Sequence, residues 1–250
     1  MIYITGDTHR DFSRFASFFR EHKTTRDDIM VILGDVGVNF YDDASDFLVK
    51  DLLNAYPITF FCIHGNHEMR PGTIPTYKTK VWHGGTVWYE KAFPYLLFAK
   101  DGEMYELQGK KIIVIGGAYS VDKEYRLDNE MQGGGKTWWE DEQPDEETKR
   151  CVEERLASGQ WKVDYVFSHT CPLRHEPKEL FLSFINQSEV DDSTERWLDT
   201  IEDRLTFDHW YFGHFHGDKH DGKFTMLFGK IEVLGEFEPK KKTTKTNKKK

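Results

Sequence analysis

Five short segments of the sequence carry histidine, aspartate or asparagine in patterns that favour metal binding. The segments are Asp7-Thr8-His9, Gly34-Asp35, Gly65-Asn66-His67-Glu68, His169 and Gly213-His214-Phe215-His216. Imidazole nitrogen suits zinc, iron, manganese or nickel, and a carboxylate can bridge two cations. The sequence therefore indicates a site for divalent cations, provided that the fold brings these segments together.

Each segment directly follows a short apolar run with the composition of a buried strand. The runs cover residues 2–5, 29–33, 58–63, 163–167 and 209–212. In open α/β sheets, ligands bind beyond the carboxyl ends of the strands, where the connecting loops converge. We therefore expect the five segments to meet at one edge of the fold. The glycines at 6, 34, 65 and 213 are expected to turn the chain sharply before four of them.

Each of these polar residues, taken alone, has a more ordinary explanation. Asp7 could cap the following helix, and Asp35 could close an Asx turn. His214 and His216 could share one exposed face of a strand, because residues i and i+2 point the same way. The repetition of the pattern at five strand ends favours a metal site over these separate explanations.

The first third of the chain alternates between strand and helix patterns. Apolar residues recur at helical spacing in two segments, Phe12, Phe15, Phe18 and Phe19 in the first and Phe47, Leu48, Leu52 and Leu53 in the second. Strand, helix, strand, helix, strand predicts parallel strands joined by right-handed crossovers.

Residues 87–115 have a different pattern, with strand-like runs separated by turns that contain glycine. This pattern predicts an antiparallel insertion or a second sheet. The charged stretch 140–156 predicts a helix, and short strands follow Gly222. The simplest architecture that accounts for these patterns is an α/β (α+β) fold of two β-sheets with helices outside.

Composition limits the class of protein further. The 250 residues carry a formal net charge of −9 and are 38% hydrophobic and 15% aromatic, which excludes a disordered polyelectrolyte. No apolar stretch approaches the roughly 20 residues that cross a bilayer, so no membrane partner is expected. The lysine-rich segment 240–250 predicts a flexible tail after a single domain at 1–239. A weak tether to nucleic acid or to an anionic surface is the alternative for this tail.

The cysteines and the N-terminus bear on the compartment. Cys62, Cys151 and Cys171 are odd in number and far apart, which favours reduced thiols over a disulfide framework. Residues 1–5 lack the basic and apolar regions of a secretion signal. These features predict a cytoplasmic protein, and the sequence leaves its oligomeric state unknown.

The five motifs resemble, in the same order, those of the calcineurin-like metallophosphoesterases. That family's pattern is D-x-H, G-D, G-N-H-D/E, a lone His and G-H-x-H, and the resemblance covers residues 1 to about 220. It implies a four-layer αββα sandwich of two mixed β-sheets flanked by helices. It also implies two divalent cations, drawn from Mn, Fe, Zn or Ni, and a phosphate ester as the substrate.

The resemblance also assigns a role to each motif residue. One cation is held by Asp7, His9 and His216, the other by Asn66, His169 and His214, and Asp35 bridges the two. His67 is similar to the family's catalytic histidine near the leaving-group oxygen, and Glu68 to an acid that orients its imidazole. The implied reaction is hydrolysis of phosphate mono- or diesters through a metal-bridging hydroxide.

One departure concerns the substrate phosphate. Phosphoprotein phosphatases of this superfamily continue G-D with x-V-D-R-G, and that arginine binds the phosphate, whereas residues 34–39 read GDVGVN. Arg10, at a position where glycine is common, or Arg126 could replace the missing arginine by bidentate contact. Both could equally be solvated surface side chains.

Two other functions remain open from the sequence. A phosphodiesterase or nuclease acting on nucleotides or nucleic acid would use the same ligands, and only the lysine-rich tail favours the nucleic-acid form. A non-catalytic scaffold with this fold typically has lost metal ligands or the catalytic histidine, and this sequence retains all of them.

Overall fold

The computed structural model of the protein describes residues 1–236. The lysine-rich segment 240–250, with its predicted flexibility and its alternative role as a tether, lies outside the described residues. The α-helices of the described part are α1 (Ser13–His22), α2 (Ala44–Ala55), α3 (Lys123–Met131), α4 (Glu146–Ser158) and α5 (Ser193–Glu202). None of the helices in residues 1–236 combines the length and the apolar character needed to cross a membrane.

The strands of residues 1–236 form two mixed sheets. The first sheet contains β1 (Ile2–Thr5), β2 (Ile29–Ile32), β3 (Thr59–Cys62), β4 (Lys78–Trp82), β5 (Gly85–Tyr89), β6 (Leu96–Ala99) and β13 (Ile231–Val233), in the order β13-β1-β2-β3-β6-β5-β4. The second contains β7 (Met104–Leu107), β8 (Lys110–Ile115), β9 (Tyr165–Ser168), β10 (His209–Phe212), β11 (Lys219–Asp221) and β12 (Phe224–Met226), in the order β11-β12-β10-β9-β8-β7. Parallel strands occupy the middle of each sheet, and antiparallel strands lie at its margins.

The two sheets pack face to face, and the side chains of consecutive strand residues alternate between the layers. Val31 and Phe167 lie in the central layer between the sheets. The preceding residue of β2, Met30, packs beneath α1 and α2, and the preceding residue of β9, Val166, packs beneath α4 and α5. The expected four-layer αββα sandwich is therefore confirmed.

The middle of the chain is divided between both sheets instead of forming one insertion. β6 runs parallel to β3 and extends the first sheet, and the hairpin of β4 and β5 completes that edge. β7 and β8 pair as a hairpin that belongs to the second sheet. The helix expected at 140–156 begins later, at Glu146, where the Asp145 carboxylate accepts the N–H of Thr148 at 2.8 Å and caps it.

The prediction that α2 has a buried apolar stripe is wrong for most of the side chains in that stripe. Leu53 is buried, but three others are largely exposed, namely Phe47 at 55%, Leu48 at 68% and Leu52 at 48%. The helix buries Asp46 and Lys50 instead. Both charges are satisfied locally, since Asp46 pairs with Arg10 at 2.6 Å and Lys50 with Glu90 at 2.7 Å.

Candidate metal centre

The predicted strand ends meet at one place. Asp7, Asp35 and Asn66 follow β1, β2 and β3, which are neighbouring parallel strands of the first sheet. His169 and His214 follow β9 and β10, which are parallel neighbours in the second sheet. Backbone hydrogen bonds tie the loops together, since the His9 N–H donates to the Asp35 carbonyl and the Gly213 N–H to the His169 carbonyl, both at 2.8 Å.

The first cluster of donor atoms contains Asp7, His9 and His216, whose ligand atoms lie within 4.8 Å of one another. The Nε2 atoms of His9 and His216 are 2.8 Å apart. Asp7 Oδ2 lies 3.4 Å from His216 Nε2 and 3.7 Å from His9 Nε2. The other Asp7 oxygen, Oδ1, accepts the N–H of His214 at 3.0 Å, which fixes the carboxylate in this orientation.

The second cluster contains Asn66, His169 and His214. Asn66 Oδ1 lies 2.8 Å from His169 Nε2 and 3.1 Å from His214 Nδ1. The Asn66 amide nitrogen donates to Ser120 Oγ at 2.9 Å, so its oxygen is the atom turned toward the imidazoles. His169 Nδ1 is 2.7 Å from the Leu33 carbonyl, to which it donates, and this leaves a lone pair on Nε2.

Asp35 lies between the two clusters. Its Oδ2 is 3.7 Å from His9 Nε2, and its Oδ1 is 3.6 Å from His169 Nε2. Burial alone would raise the pKa of Asp35, but His169, His67 and His9 outweigh it and lower the pKa below its ordinary value. The buried carboxylate is therefore ionised and directs one oxygen toward each cluster.

Several of these residues have a left-handed backbone, which side chains other than glycine rarely adopt. The φ angles are +43° at His9, +48° at Asp35, +66° at His214 and +52° at His216. Backbone strain of this kind persists only where many surrounding contacts hold the residue in place, and it is concentrated at functional sites. The loops after β1, β2 and β10 are thus held in conformations that present their side chains to the cluster.

The glycines beside these residues are required mainly for close packing. Gly34 combines a φ of +104° with a position where a Cβ would overlap the imidazole of His169. Gly213 has ordinary φ, but a Cβ there would overlap the Asp7 carboxylate. The expectation of sharp turns is therefore incomplete, because at Gly34 and Gly213 side chains of the clusters occupy the space that a Cβ would fill.

The orientation of the donor atoms fits divalent cations. Asp7 Oδ2 is buried and has no hydrogen-bond partner within residues 1–236. The lone pair of His169 Nε2 faces the oxygen of Asn66, and two acceptors at this distance repel each other unless a cation lies close to both. Burial, together with His169, lowers the pKa of His214 to about 3, which keeps its imidazole in the neutral form that binds metals.

His67 lies at the edge of the cluster, and its backbone N–H donates to Asp35 Oδ1 at 2.8 Å. Its imidazole Nδ1 is buried without a hydrogen-bond partner in the described part of the chain. Burial lowers the pKa of His67, Asp35 opposes that shift, and Arg126 adds to it. The Nδ1 atom of the ring is thus not hydrogen-bonded to another described residue.

In residues 1–236 no hydrogen bond joins Glu68 to the imidazole of His67, the group that the resemblance implied Glu68 would orient. Its fully buried carboxylate accepts the N–H groups of Gly65 at 3.1 Å and Gly37 at 3.2 Å. Burial and the neighbouring Asp35 raise the pKa of Glu68 to about 8. Glu68 therefore connects the loops after β2 and β3 by hydrogen bonds to their backbones. In this way it helps to position the site residues that these loops carry.

Arg10 is hydrogen-bonded to residues at the start of α2. Its guanidinium pairs with Asp46 at 2.6 Å, donates to the Ser45 carbonyl at 3.0 Å and lies over the ring of Tyr41. These contacts hold the start of α2. Because these contacts occupy donors of its guanidinium, they do not favour Arg10 as the residue that binds the substrate phosphate, and that role stays a prediction.

Arg126, on α3, is closer to the centre, since its charge acts on the pKa of His67. Its guanidinium pairs with Asp122 at 2.8 Å and donates to the Thr137 carbonyl at 2.9 Å. Arg126 therefore lies near the site, and some of the N–H groups of its guanidinium are already engaged by Asp122 and Thr137.

Sequence reasoning missed the residues that support the ligands. Ser120 holds the amide of Asn66, and Arg14 donates to the backbone carbonyl of Asp7 at 2.8 Å. It also missed an apolar segment at 180–190 that faces the centre across a pocket. A run of large apolar residues without strand or helix periodicity was the available signal for this segment.

A sandwich of two mixed sheets, with an imidazole- and carboxylate-rich cluster at its strand ends, defines a metallophosphoesterase. Residues 1–218 match the family model described as calcineurin-like phosphoesterase, and the chain belongs to that family. No curated protein matches the chain in a sequence comparison. Membership of the family supports a metal-dependent phosphoesterase.

Proposed function

We propose that the protein hydrolyses phosphate mono- or diesters at a binuclear metal centre. The observation that carries the proposal is the position of Asp35, whose two oxygens face separate clusters of donor atoms. In this assignment one cation is held by Asp7, His9 and His216, and the other by Asn66, His169 and His214. The mixed nitrogen and oxygen ligands suit Mn, Fe, Zn or Ni.

When bound, the two cations would supply a water nucleophile at neutral pH and neutralise the oxygens of the phosphate. Asp35 places its charge between the clusters and holds their separation. Asp7 and His169 are almost fully buried, so they exclude water from the inner side of the centre. His9 and His216 are exposed and leave the outer side open to a substrate.

His67 acts at the leaving group in this proposal. Hydrolysis forms a bond between phosphorus and a water oxygen and breaks the bond to the alcohol oxygen, which takes up a proton. His67 lines the pocket beside the centre, and its ring has an uncommitted nitrogen. In its protonated form the imidazole gives this proton to the alcohol oxygen, while the backbone N–H of His67 keeps Asp35 in place.

The proposal is tested with protein that has been stripped of metal by a chelator and reconstituted with Mn²⁺. We expect release of p-nitrophenolate from p-nitrophenyl phosphate or bis-p-nitrophenyl phosphate, lost on chelation and restored by the metal. The comparison of the two esters separates monoesterase from diesterase activity. Asp35→Asn, purified in the same way, controls for contaminating phosphatases.

If the protein hydrolyses neither ester with Mn²⁺, Fe²⁺, Zn²⁺ or Ni²⁺, the proposal is contradicted. Equal hydrolysis by the protein and by Asp35→Asn would contradict it as well, because the activity would then not arise at this centre.

A further inference from the structure

A pocket of about 390 Å³ opens directly beside the metal centre. One side is formed by Asn66, His67 and His214, which belong to the centre. Other parts of its wall come from the segment 180–190, from Tyr119 and Val121, and from Phe215 of the loop after β10. A cavity of this size, continuous with the proposed reacting atoms, matches the small-molecule sites of other proteins, which span about 300–1,000 Å³.

The part of the wall formed by the segment 180–190 is apolar although it faces solvent. Leu180 is 42% exposed and Leu182 is 49% exposed. Phe181 stacks on Phe215 with ring centroids 6.1 Å apart and an angle of 18° between the planes. Exposed apolar side chains that line one concave surface mark a binding site, because leaving them in water is unfavourable.

Acidic side chains make up much of the polar part of the pocket wall outside the centre. They include Glu176 and Asp191. Asp122 and Glu195 also line the pocket, but Asp122 pairs with Arg126 and burial raises the pKa of Glu195 to about 7. Asp191 is held in place by the N–H of Ser193 and the side-chain amide of Gln143. Among residues 1–236, no lysine or arginine lines this pocket.

These features bear on which part of a substrate occupies the pocket. A phosphate group would meet carboxylates and apolar side chains there, so it belongs at the cations instead. His67 lines the pocket and, in the proposed function, donates to the alcohol oxygen of the ester. The alcohol part of the substrate must then extend from His67 into the pocket.

On the basis of the proposed function, we propose that this pocket holds the leaving alcohol, and that the substrates are phosphate esters of small apolar alcohols without negative charge of their own. The apolar wall of Leu180, Phe181 and Leu182 contacts the hydrocarbon part of the alcohol. The carboxyl groups disfavour a second anionic group, so esters with further phosphates or carboxylates are poor substrates.

The test compares esters that share one phosphate and differ in the alcohol. Benzyl, 4-carboxybenzyl and ethyl phosphate are used, or their methyl diesters if only diesters turn over, and phosphate or alcohol release is measured. We expect kcat/KM for the benzyl ester to exceed that of the ethyl ester by roughly 10-fold or more. The carboxybenzyl ester should fall roughly 10-fold or more below the benzyl ester.

Two variants of the wall and one control in the same segment connect the preference to the pocket. Leu182→Ser should lower kcat/KM for the benzyl ester roughly 5- to 10-fold and affect the ethyl ester less, because only the benzyl ring reaches the wall. Phe184→Ser is the matched control, since Phe184 is 79% exposed and does not line the pocket. Ile185→Ser repeats the test at a second wall position.

The outcomes separate this inference from the proposed function. If the protein hydrolyses none of the esters, including the p-nitrophenyl esters, the proposed function is overturned and the inference with it. Hydrolysis without preference for benzyl over carboxybenzyl, or equal effects of Leu182→Ser and Phe184→Ser, would overturn the inference alone. Higher kcat/KM for a short oligonucleotide than for every benzyl ester would also overturn it and would favour a nuclease.

Discussion

The two sides of the pocket differ in how the fold holds them. On one side, Asp7, Asp35 and His169 are almost fully buried at strand ends, and hydrogen bonds fix each of them. On the other side, the segment 180–190 has no strand pairing among the described residues, and several of its side chains are half exposed or more. The difference places the proposed chemistry on the rigid scaffold and the proposed selection of substrate on a loop.

The largest effect should come from Asp35→Asn, on the scaffold side. An amide offers one oxygen and no charge, so it bridges two cations poorly, and turnover should fall on the order of 10⁴-fold. The fold should persist, because asparagine tolerates the left-handed backbone of this position and can still accept the N–H of His67. Elemental analysis and turnover are measured together.

Asp42→Asn is the matched control, because Asp42 is an exposed aspartate that also has a left-handed backbone. Its metal content and turnover should equal those of the unmodified protein. Two ions per chain and near-normal turnover in Asp35→Asn would remove the bridging role.

The next effect separates His67 from the ligands beside it. His67→Ala should keep its metal and lose roughly 10²–10⁴-fold in rate on esters with poor leaving groups, the usual scale for general acid catalysis. The loss should be smaller with p-nitrophenolate, which needs little protonation. His169→Ala should instead lose metal and slow both kinds of ester alike. If His67→Ala loses the same factor in rate on esters with high and with low leaving-group pKa, His67 is a phosphate-binding residue and not a general acid.

Close packing at the strand ends gives a third prediction. Gly34→Ala should lower the free energy of unfolding by about 3 kcal/mol, because it adds left-handed strain and pushes against His169. Gly133→Ala should cost only about 1 kcal/mol, since Gly133 has a similar φ of +90° but no neighbour within 4 Å of a Cβ. Denaturant unfolding measures both, and equal losses would show that the imidazole can move aside.

The smallest effect concerns Glu195, in the wall of the pocket. Burial raises the pKa of Glu195 to about 7, even though Thr170 donates to its carboxylate at 2.8 Å and opposes the shift. Between about pH 4.5 and pH 7 the folded state therefore binds more protons than the unfolded state, so stability falls as the pH rises through this window.

Glu195→Gln should remove that decline, which amounts to about 2–3 kcal/mol across the window. Denaturant unfolding at a series of pH values measures it. Glu189→Gln removes an exposed carboxylate near the same wall and should leave the decline unchanged. An identical decline in Glu195→Gln and the unmodified protein would assign it to other groups.

The sequence predicted the strands and their terminal residues well, because both depend on local pattern. The runs at 2–5 and 209–212 coincide with β1 and β10, and parallel pairing then brings their terminal residues together. Family resemblance added the pairing of ligands into two sets, which local pattern alone does not contain.

The parts that the sequence did not predict depend on contacts between distant residues. Arg10 was one of two candidates for binding the phosphate, and the sequence did not indicate that its guanidinium pairs with Asp46, which lies 36 positions away on α2. Glu68 was expected beside His67, but it binds backbone N–H groups, including that of Gly37. The segment 180–190 has no periodicity, so only the folded structure shows that its apolar side chains line the same pocket as residues of the metal centre.

The central claim is that two cations, held by strand-end residues, act together on one phosphate ester. Its most direct test is a titration of metal-free protein with Mn²⁺ in which bound metal and turnover are followed on the same samples. We expect two ions per chain, with turnover that rises as the second ion binds. Full turnover with one ion per chain, or hydrolysis that persists without metal, would contradict the claim.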